Sequence, residues 1–247
     1  MFQKELPRIY ELRDQIQTPT SPSAYFQDFD SSYRDHPEIQ RVFRALENEL
    51  QALDSCAWET LKKKTCGYLT ARDAKRGWQQ LFDHLNEARG YKYLKCIGCS
   101  DVYFIPESKK NGKTTPDLHG RLGSVKVLCE VKTINKSDVV IKARNEGELT
   151  WVHDRLDEEF FIKLFKVLRK AKEQLESYSA DEAKTRLIIY IVINFDNWVG
   201  EYNDRYFRQI DQRLSENTIT GIEIVIHNQQ TPFNKRSTMN NAIIVND

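Results

Sequence analysis

Leu187-Ile188-Ile189-Tyr190-Ile191-Val192-Ile193 is apolar without interruption. A strand with one face in water alternates apolar and polar side chains, and this one does not. Both of its faces must therefore be covered, which makes it a central strand of a sheet packed between helices. The rest of the chain supplies the covering layers. Helices are expected over residues 7–17, 37–53 and 59–69, the second with Pro37 near its start and Ile39, Val42, Phe43, Leu46 and Leu50 at helical spacing. Thr18-Pro19-Thr20-Ser21-Pro22-Ser23 breaks the first of them. Trp78, Leu81, Phe82 and Leu85 form a further stripe, for which Gly90 reads as the C-cap. A β-rich stretch follows, with strands expected at 91–97, 102–105, 117–122 and 125–133. A loop of about twenty residues, with Trp151 and His153 near its end, leads to a long amphipathic helix over 156–178, apolar at Phe161, Leu164, Leu168, Ala171 and Leu175. A helix at 203–214 and short strands at 222–226 and 242–245 close the chain. This order predicts an α/β fold, a mixed β-sheet flanked by helices on each face. Residues 1–72 read as a helical N-terminal extension and residues 73–247 as the main domain.

Composition removes several alternatives. Hydrophobic residues make up 40% and charged residues 30% of the 247, the balance of a folded domain rather than a disordered chain. No apolar run approaches the ~20 residues that span a bilayer. The N-terminus carries no basic-then-apolar signal, so a cytoplasmic protein is expected. Net charge is +1, so attraction to a polyanion has to come from local clusters. Cys56, Cys66, Cys96, Cys99 and Cys129 are odd in number and match no zinc-ribbon spacing, which predicts reduced thiols with Cys129 in the core.

Chemistry concentrates between Thr115 and Lys132. Pro116-Asp117 lies one short hairpin away from Cys129-Glu130-Val131-Lys132. Gly123-Ser124 suits a two-residue turn with glycine first. That register sets Asp117 opposite Glu130, with Cβ atoms roughly 5 Å apart. Glu130 and Lys132 are two apart on one strand, so their side chains leave the same face. Two opposed carboxylates repel unless a cation lies between them. Two hard oxygen donors suit Mg²⁺ or Mn²⁺, which keeps waters and accepts a phosphate oxygen. An ordinary surface salt-bridge cluster accounts for the charges but not for the opposed carboxylates. His119 shares the strand face of Asp117, and Lys109, Lys110 and Lys113 precede it in a polar loop. Asp154, Asp157, Glu158 and Glu159 open the long helix, where its N-terminal dipole favours them. Farther along that helix, Lys166, Lys170, Gln174 and Tyr178 recur every four residues and share a face.

Pro-Asp, a hairpin, Glu-Val-Lys at a strand end and a following helix and strand resemble the PD-(D/E)XK nuclease superfamily, the restriction-endonuclease-like fold, over residues 74–195. Gln174-Leu175-Glu176-Ser177-Tyr178 is similar to the Gln-x-x-x-Tyr element of its RecB-like branch. The resemblance implies a metal-dependent nuclease that hydrolyses phosphodiester bonds, DNA in preference to RNA. It implies Mg²⁺ (or Mn²⁺) held by Asp117, Glu130 and the Val131 carbonyl. Lys132 then acts on the attacking hydroxide and on charge developing at phosphorus, and Gln174 positions the site. Lys166, Lys170 and Tyr178 are expected to contact nucleic acid. The extension is expected to shape substrate access or a contact between two copies of the chain. One departure stands out. Many members carry an acidic residue on the first helix, where Gln79 and Gln80 stand here; Asp83 and Glu87 lie farther along. That substitution leaves a second reading open: a catalytically weakened nuclease-fold module that binds nucleic acid or a protein partner.

Overall fold

The computed structural model describes residues 2–17, 24–73, 77–107, 115–134, 155–179, 184–194, 202–228 and 242–245. The expected break at Thr18–Ser23, the lysines 109, 110 and 113, and Trp151, His153 and Asp154 lie outside the described residues. Among the described residues, six helices precede the sheet: α1 (Pro7–Arg13), α2 (Phe29–Asp35), α3 (Pro37–Gln51), α4 (Ser55–Cys66), α5 (Gln79–Leu85) and α6 (Glu87–Cys96). Proline occupies the first helical position of α1 and α3, where its missing N–H breaks no bond. Asp54 caps α4 by accepting the Ala57 N–H at 2.8 Å.

Helix α6 corrects the sequence reading, which ends a helix at Gly90 and begins a strand at Tyr91. Gly90 lies inside α6, and the helix runs on to Cys96. Tyr91 and Tyr93 favour strands locally, but Ala88, Tyr91 and Leu94 fall at helical spacing and are buried together. The glycine serves packing. A Cβ there would lie 2.5 Å from Val131 Cγ2 and 3.0 Å from Leu118 Cδ1, so its absence lets α6 sit close against the sheet.

Strands β1 (Ser100–Phe104), β2 (Leu118–Leu122), β3 (Val125–Ile134), β4 (Thr185–Ile193), β5 (Glu223–Asn228) and β6 (Ala242–Val245) form one sheet in sequence order. The first three pair antiparallel; β3 to β6 pair parallel. The β3–β4 and β4–β5 crossovers carry α7 (Glu158–Ser179) and α8 (Asn203–Glu216). Asp157 caps α7 by accepting the Phe160 N–H at 2.7 Å, and Glu158 and Glu159 fill its first turn.

Side-chain alternation divides the core in two. Val127, Cys129, Val131, Ile188, Tyr190, Val192 and Val225 join the helices before the sheet. Leu128, Ile134, Ile189, Ile191, Ile193, Ile224 and Ile226 join α7 and α8. Strand β4 is thus covered on both faces, as its unbroken apolar run requires. Helix α6 lies on β1–β3, α3 packs on α6, and α4 touches β1. Apolar residues of α1–α4 belong to the same cluster as that sheet face.

Candidate functional site

The β2–β3 hairpin sets the geometry. Leu122 pairs with Val125 across Gly123-Ser124, and Gly123 takes φ +60°, as a glycine-first two-residue turn requires. The register runs back to Leu118 opposite Cys129, which brings Asp117 beside Glu130. The Asp117 carbonyl accepts the Ile105 N–H at 2.9 Å, fixing the segment to the end of β1. Asp117 Oδ2 accepts the Val131 N–H at 2.8 Å. Glu130 is 1% exposed. Its Oε1 takes the Lys132 ammonium, and its Oε2 accepts the Gln174 side-chain N–H at 2.9 Å. The same amide donates to the Thr115 carbonyl at 2.8 Å, so Gln174 ties α7 to both strands of the site.

A third carboxylate approaches from α6. Glu87, 5% exposed, opens that helix. Lys64 of α4 reaches its Oε2 at 2.7 Å, and His84 Nδ1 lies 2.8 Å from its Oε1. Asn86 donates to Thr133 Oγ1 at 3.0 Å and anchors this end of α6 on β3. Of the two acidic candidates on the first helical segment, it is Glu87 whose charge reaches Asp117, Glu130 and Lys132.

Burial raises the Asp117 pKa well above the usual carboxylate range, and the charges of Glu130 and Glu87 add to it. Lys132 and the Val131 N–H pull the other way and lose. Burial raises Glu130 too, against the attraction and hydrogen bond of Lys132. Burial disfavours the Lys132 charge, but Glu130 and Asp117 outweigh it and hold the ammonium above its ordinary value. Loss of hydration is therefore the main cause of the raised carboxylate pKa values, with the neighbouring Glu87 carboxylate adding to it.

Among the described residues, no three or more His, Cys, Asp or Glu side chains group so as to hold a metal ion. The donor set that remains is a pair, Asp117 and Glu130. These are hard oxygens, Glu130 buried and Asp117 half-buried, with pKa values raised by desolvation. A divalent cation relieves that arrangement, so the residues fit one.

The other expected residues are placed as follows. Tyr178 lies one turn beyond Gln174, 37% exposed, with the Lys126 ammonium 5.5 Å from its ring centre. Lys166 and Lys170 are exposed on α7. The Val131 side chain packs beneath α6. His119 is buried, its ring stacked on Tyr103 at 4.6 Å and its Nδ1 3.4 Å from the Asp101 carbonyl. All five cysteines are free thiols, with Cys129 buried. A separate cleft of about 590 Å³ lies among the N-terminal helices, lined by Tyr25, Phe29, Phe43, Arg72 and Trp78; its lining includes none of the carboxylate cluster.

Sequence reasoning missed Lys64. It sits in the run Lys62-Lys63-Lys64, and nothing local separates it from its neighbours. Lys62 bonds Glu59 and Glu11, whereas Lys64 points to Glu87. Compared with protein-family models, curated proteins and solved structures, the chain shows no match.

Proposed function

We propose that this protein is a metal-dependent nuclease of restriction-endonuclease-like fold, hydrolysing phosphodiester bonds in DNA in preference to RNA. One observation carries the reading. Asp117, half-buried, and Glu130, buried, lie side by side at one sheet position, with Lys132 on the same strand and Gln174 bonded to Glu130. Asp117, Glu130 and the Val131 carbonyl would hold Mg²⁺ or Mn²⁺. When bound, the ion supplies a lowered water pKa and neutralises charge on phosphoryl oxygens.

The chain's own residues do the rest. The Val131 N–H fixes the Asp117 carboxylate. Gln174 orients Glu130 and leaves its charge intact. Lys132, held protonated by its carboxylate neighbours, presents an ammonium where negative charge develops on the attacked phosphate. Lys166 and Lys170 extend the row of Gln174 along the exposed side of α7 toward the substrate backbone.

The test is cleavage of labelled single- and double-stranded DNA and RNA with Mg²⁺ or Mn²⁺. Wild type is expected to cut DNA. Lys132→Ala is expected to lose about 10²–10³-fold in rate while still binding Mn²⁺ by calorimetry. Asp117→Asn is expected to lose both. Absence of cleavage together with absence of Mn²⁺ binding would reduce the cluster to a buried ion-pair network.

A specific observation favours a second reading. Glu87 already has Lys64 and His84 as partners, and Gln79 and Gln80 supply no carboxylate. Binding of metal and nucleic acid without cleavage would establish the weakened binding module instead.

A further inference from the structure

On the sheet face that carries Asp117 and Glu130, the side chains form successive cross-strand rows. Asp117 and Glu130 make the first. His119 opposite Leu128 makes the second, extended onto β1 by Tyr103 opposite His119. Arg121 opposite Lys126 makes the third. Rows two residues apart are spaced by roughly 6.6 Å along the strands. Three properties of the outer rows point the same way. Tyr103 is 47% exposed, yet its ring is held flat on the His119 ring at 4.6 Å and 23°. Arg121 and Lys126 are cations directly opposite each other, which concentrates positive charge in this row. Asp101 offsets Arg121 only at 3.8 Å and at the surface. The Lys126 ammonium lies over Tyr178, itself exposed, so the third row also ends on an aromatic ring.

We infer that these rows form a track for single-stranded nucleic acid, with a base stacked on Tyr103 and backbone phosphates on Arg121 and Lys126, leading to the Asp117/Glu130 carboxylates. The inference rests on the nuclease reading for what happens at the inner end, and it names the substrate class. An aromatic face backed by a fixed ring accepts any unstacked base. In a duplex both faces of each base are covered by neighbours, so Tyr103 favours single strands or frayed ends. The cations meet the phosphate charge that a chain of net charge +1 does not attract globally.

The test is fluorescence anisotropy of the full chain with labelled single-stranded and duplex oligonucleotides, in Ca²⁺ and across a salt series. Wild type is expected to bind the single strand more tightly. Tyr103→Ala is expected to weaken single-strand binding about tenfold and to leave duplex binding and Mn²⁺ affinity unchanged. Tyr103→Trp keeps the ring and is expected to restore single-strand binding, which separates stacking from damage to β1. Arg121→Ala is expected to flatten the log–log salt dependence by about one unit. A Tyr103→Ala protein that binds single strands like wild type overturns the track, as does a wild type that prefers duplex. Cleavage in Mg²⁺ is scored separately. Tyr103-dependent binding without cleavage overturns the nuclease reading and keeps the track. Cleavage without Tyr103 dependence overturns only the track. A wild type that neither binds nor cuts overturns both.

Discussion

Asp117 and Glu130 titrate above the range of free carboxylates because folding buries them together. Their pKa values are raised in the folded state, so at mildly acidic pH the folded protein binds more protons than the unfolded chain. Stability then falls as pH rises from the unfolded carboxylate range through the raised values. Glu49 has the same sign: burial lifts it from 4.5 to about 7, although Arg89 lies 2.9 Å away. Without divalent ions, Tm is expected to fall between about pH 5 and about pH 8. The two sources separate by metal. Ca²⁺ at the Asp117/Glu130 pair offsets their repulsion, and by mass action it is expected to raise Tm more at about pH 8 than at about pH 5. Asp117→Asn is expected to raise the metal-free Tm at the higher pH and to abolish the Ca²⁺ increment, leaving the Glu49 contribution in place. Scanning calorimetry at two pH values, with and without Ca²⁺, reads all of this. An equal Ca²⁺ increment in wild type and Asp117→Asn would remove Asp117 from the ligand set.

The elements that hold these carboxylates were legible to different degrees, and the reason is the range of the force that specifies each. Seven apolar residues in β4 announce burial on both faces, because burial is written in composition alone. The hairpin was legible because Gly123-Ser124 fixes its own turn and the register then follows by counting. Helix α7 was legible from its stripe, whereas Gln174 was singled out by the resemblance of Gln174–Tyr178 to a family element. Helix α6 was not. Its glycine stands where a C-cap would, and the evidence for its actual use lies some forty residues away on β3 and at Leu118. Helix α2 was also missed, since its seven residues are too short for a period and its Phe29 and Tyr33 are ordered by packing against neighbouring rings. The role of Gly90 makes a sharp element-scale expectation. Gly90→Ala adds a methyl 2.5 Å from Val131 Cγ2, and both atoms belong to short, stiff side chains. Overpacking of this kind costs about 1–3 kcal/mol, offset by the ~1 kcal/mol by which alanine favours a helix over glycine. A net loss of up to about 2 kcal/mol is expected by urea unfolding. Adding Val131→Ala to Gly90→Ala is expected to lose less than the sum of the two single changes, because the second methyl vacates the space of the first. Strict additivity would mean that α6 and β3 do not meet at Gly90.

At the scale of the whole molecule, the question is whether residues 1–72 are an appendage or part of the structure that makes the site. Their helices read from the sequence as an extension, because each stripe needs only some apolar partner and does not name it. Lys64 was invisible for the same reason: its partner Glu87 lies in the other segment. The contacts argue for one cooperative unit. Leu46, Leu50, Trp58 and Leu61 share a core with Leu94, Tyr91 and the β3 side chains of that face. Two ion pairs cross the boundary, Glu49 with Arg89, both buried, and half-buried Lys64 with buried Glu87. Tyr91 OH also donates to Asp54 at 2.9 Å. Removing residues 1–72 would strip Arg89 of Glu49 and Glu87 of Lys64 and would uncover the face of α6 that carries them. The larger loss is apolar: Leu46, Leu50, Trp58 and Leu61 leave the core they share with Tyr91 and Leu94. The apolar face of α6 would be exposed as well. The fragment 73–247 is therefore expected to lack a cooperative thermal transition by circular dichroism and to bind an apolar dye. The full chain is expected to unfold in a single step. The smaller Arg89→Met change checks the cause: alone it is expected to lose about 3–5 kcal/mol, and the Glu49→Leu/Arg89→Met pair to recover most of that. A fragment 73–247 that unfolds sharply and binds Mn²⁺ as the full chain does would make residues 1–72 a true appendage, and would place the whole carboxylate site, Glu87 on α6 included, within that fragment.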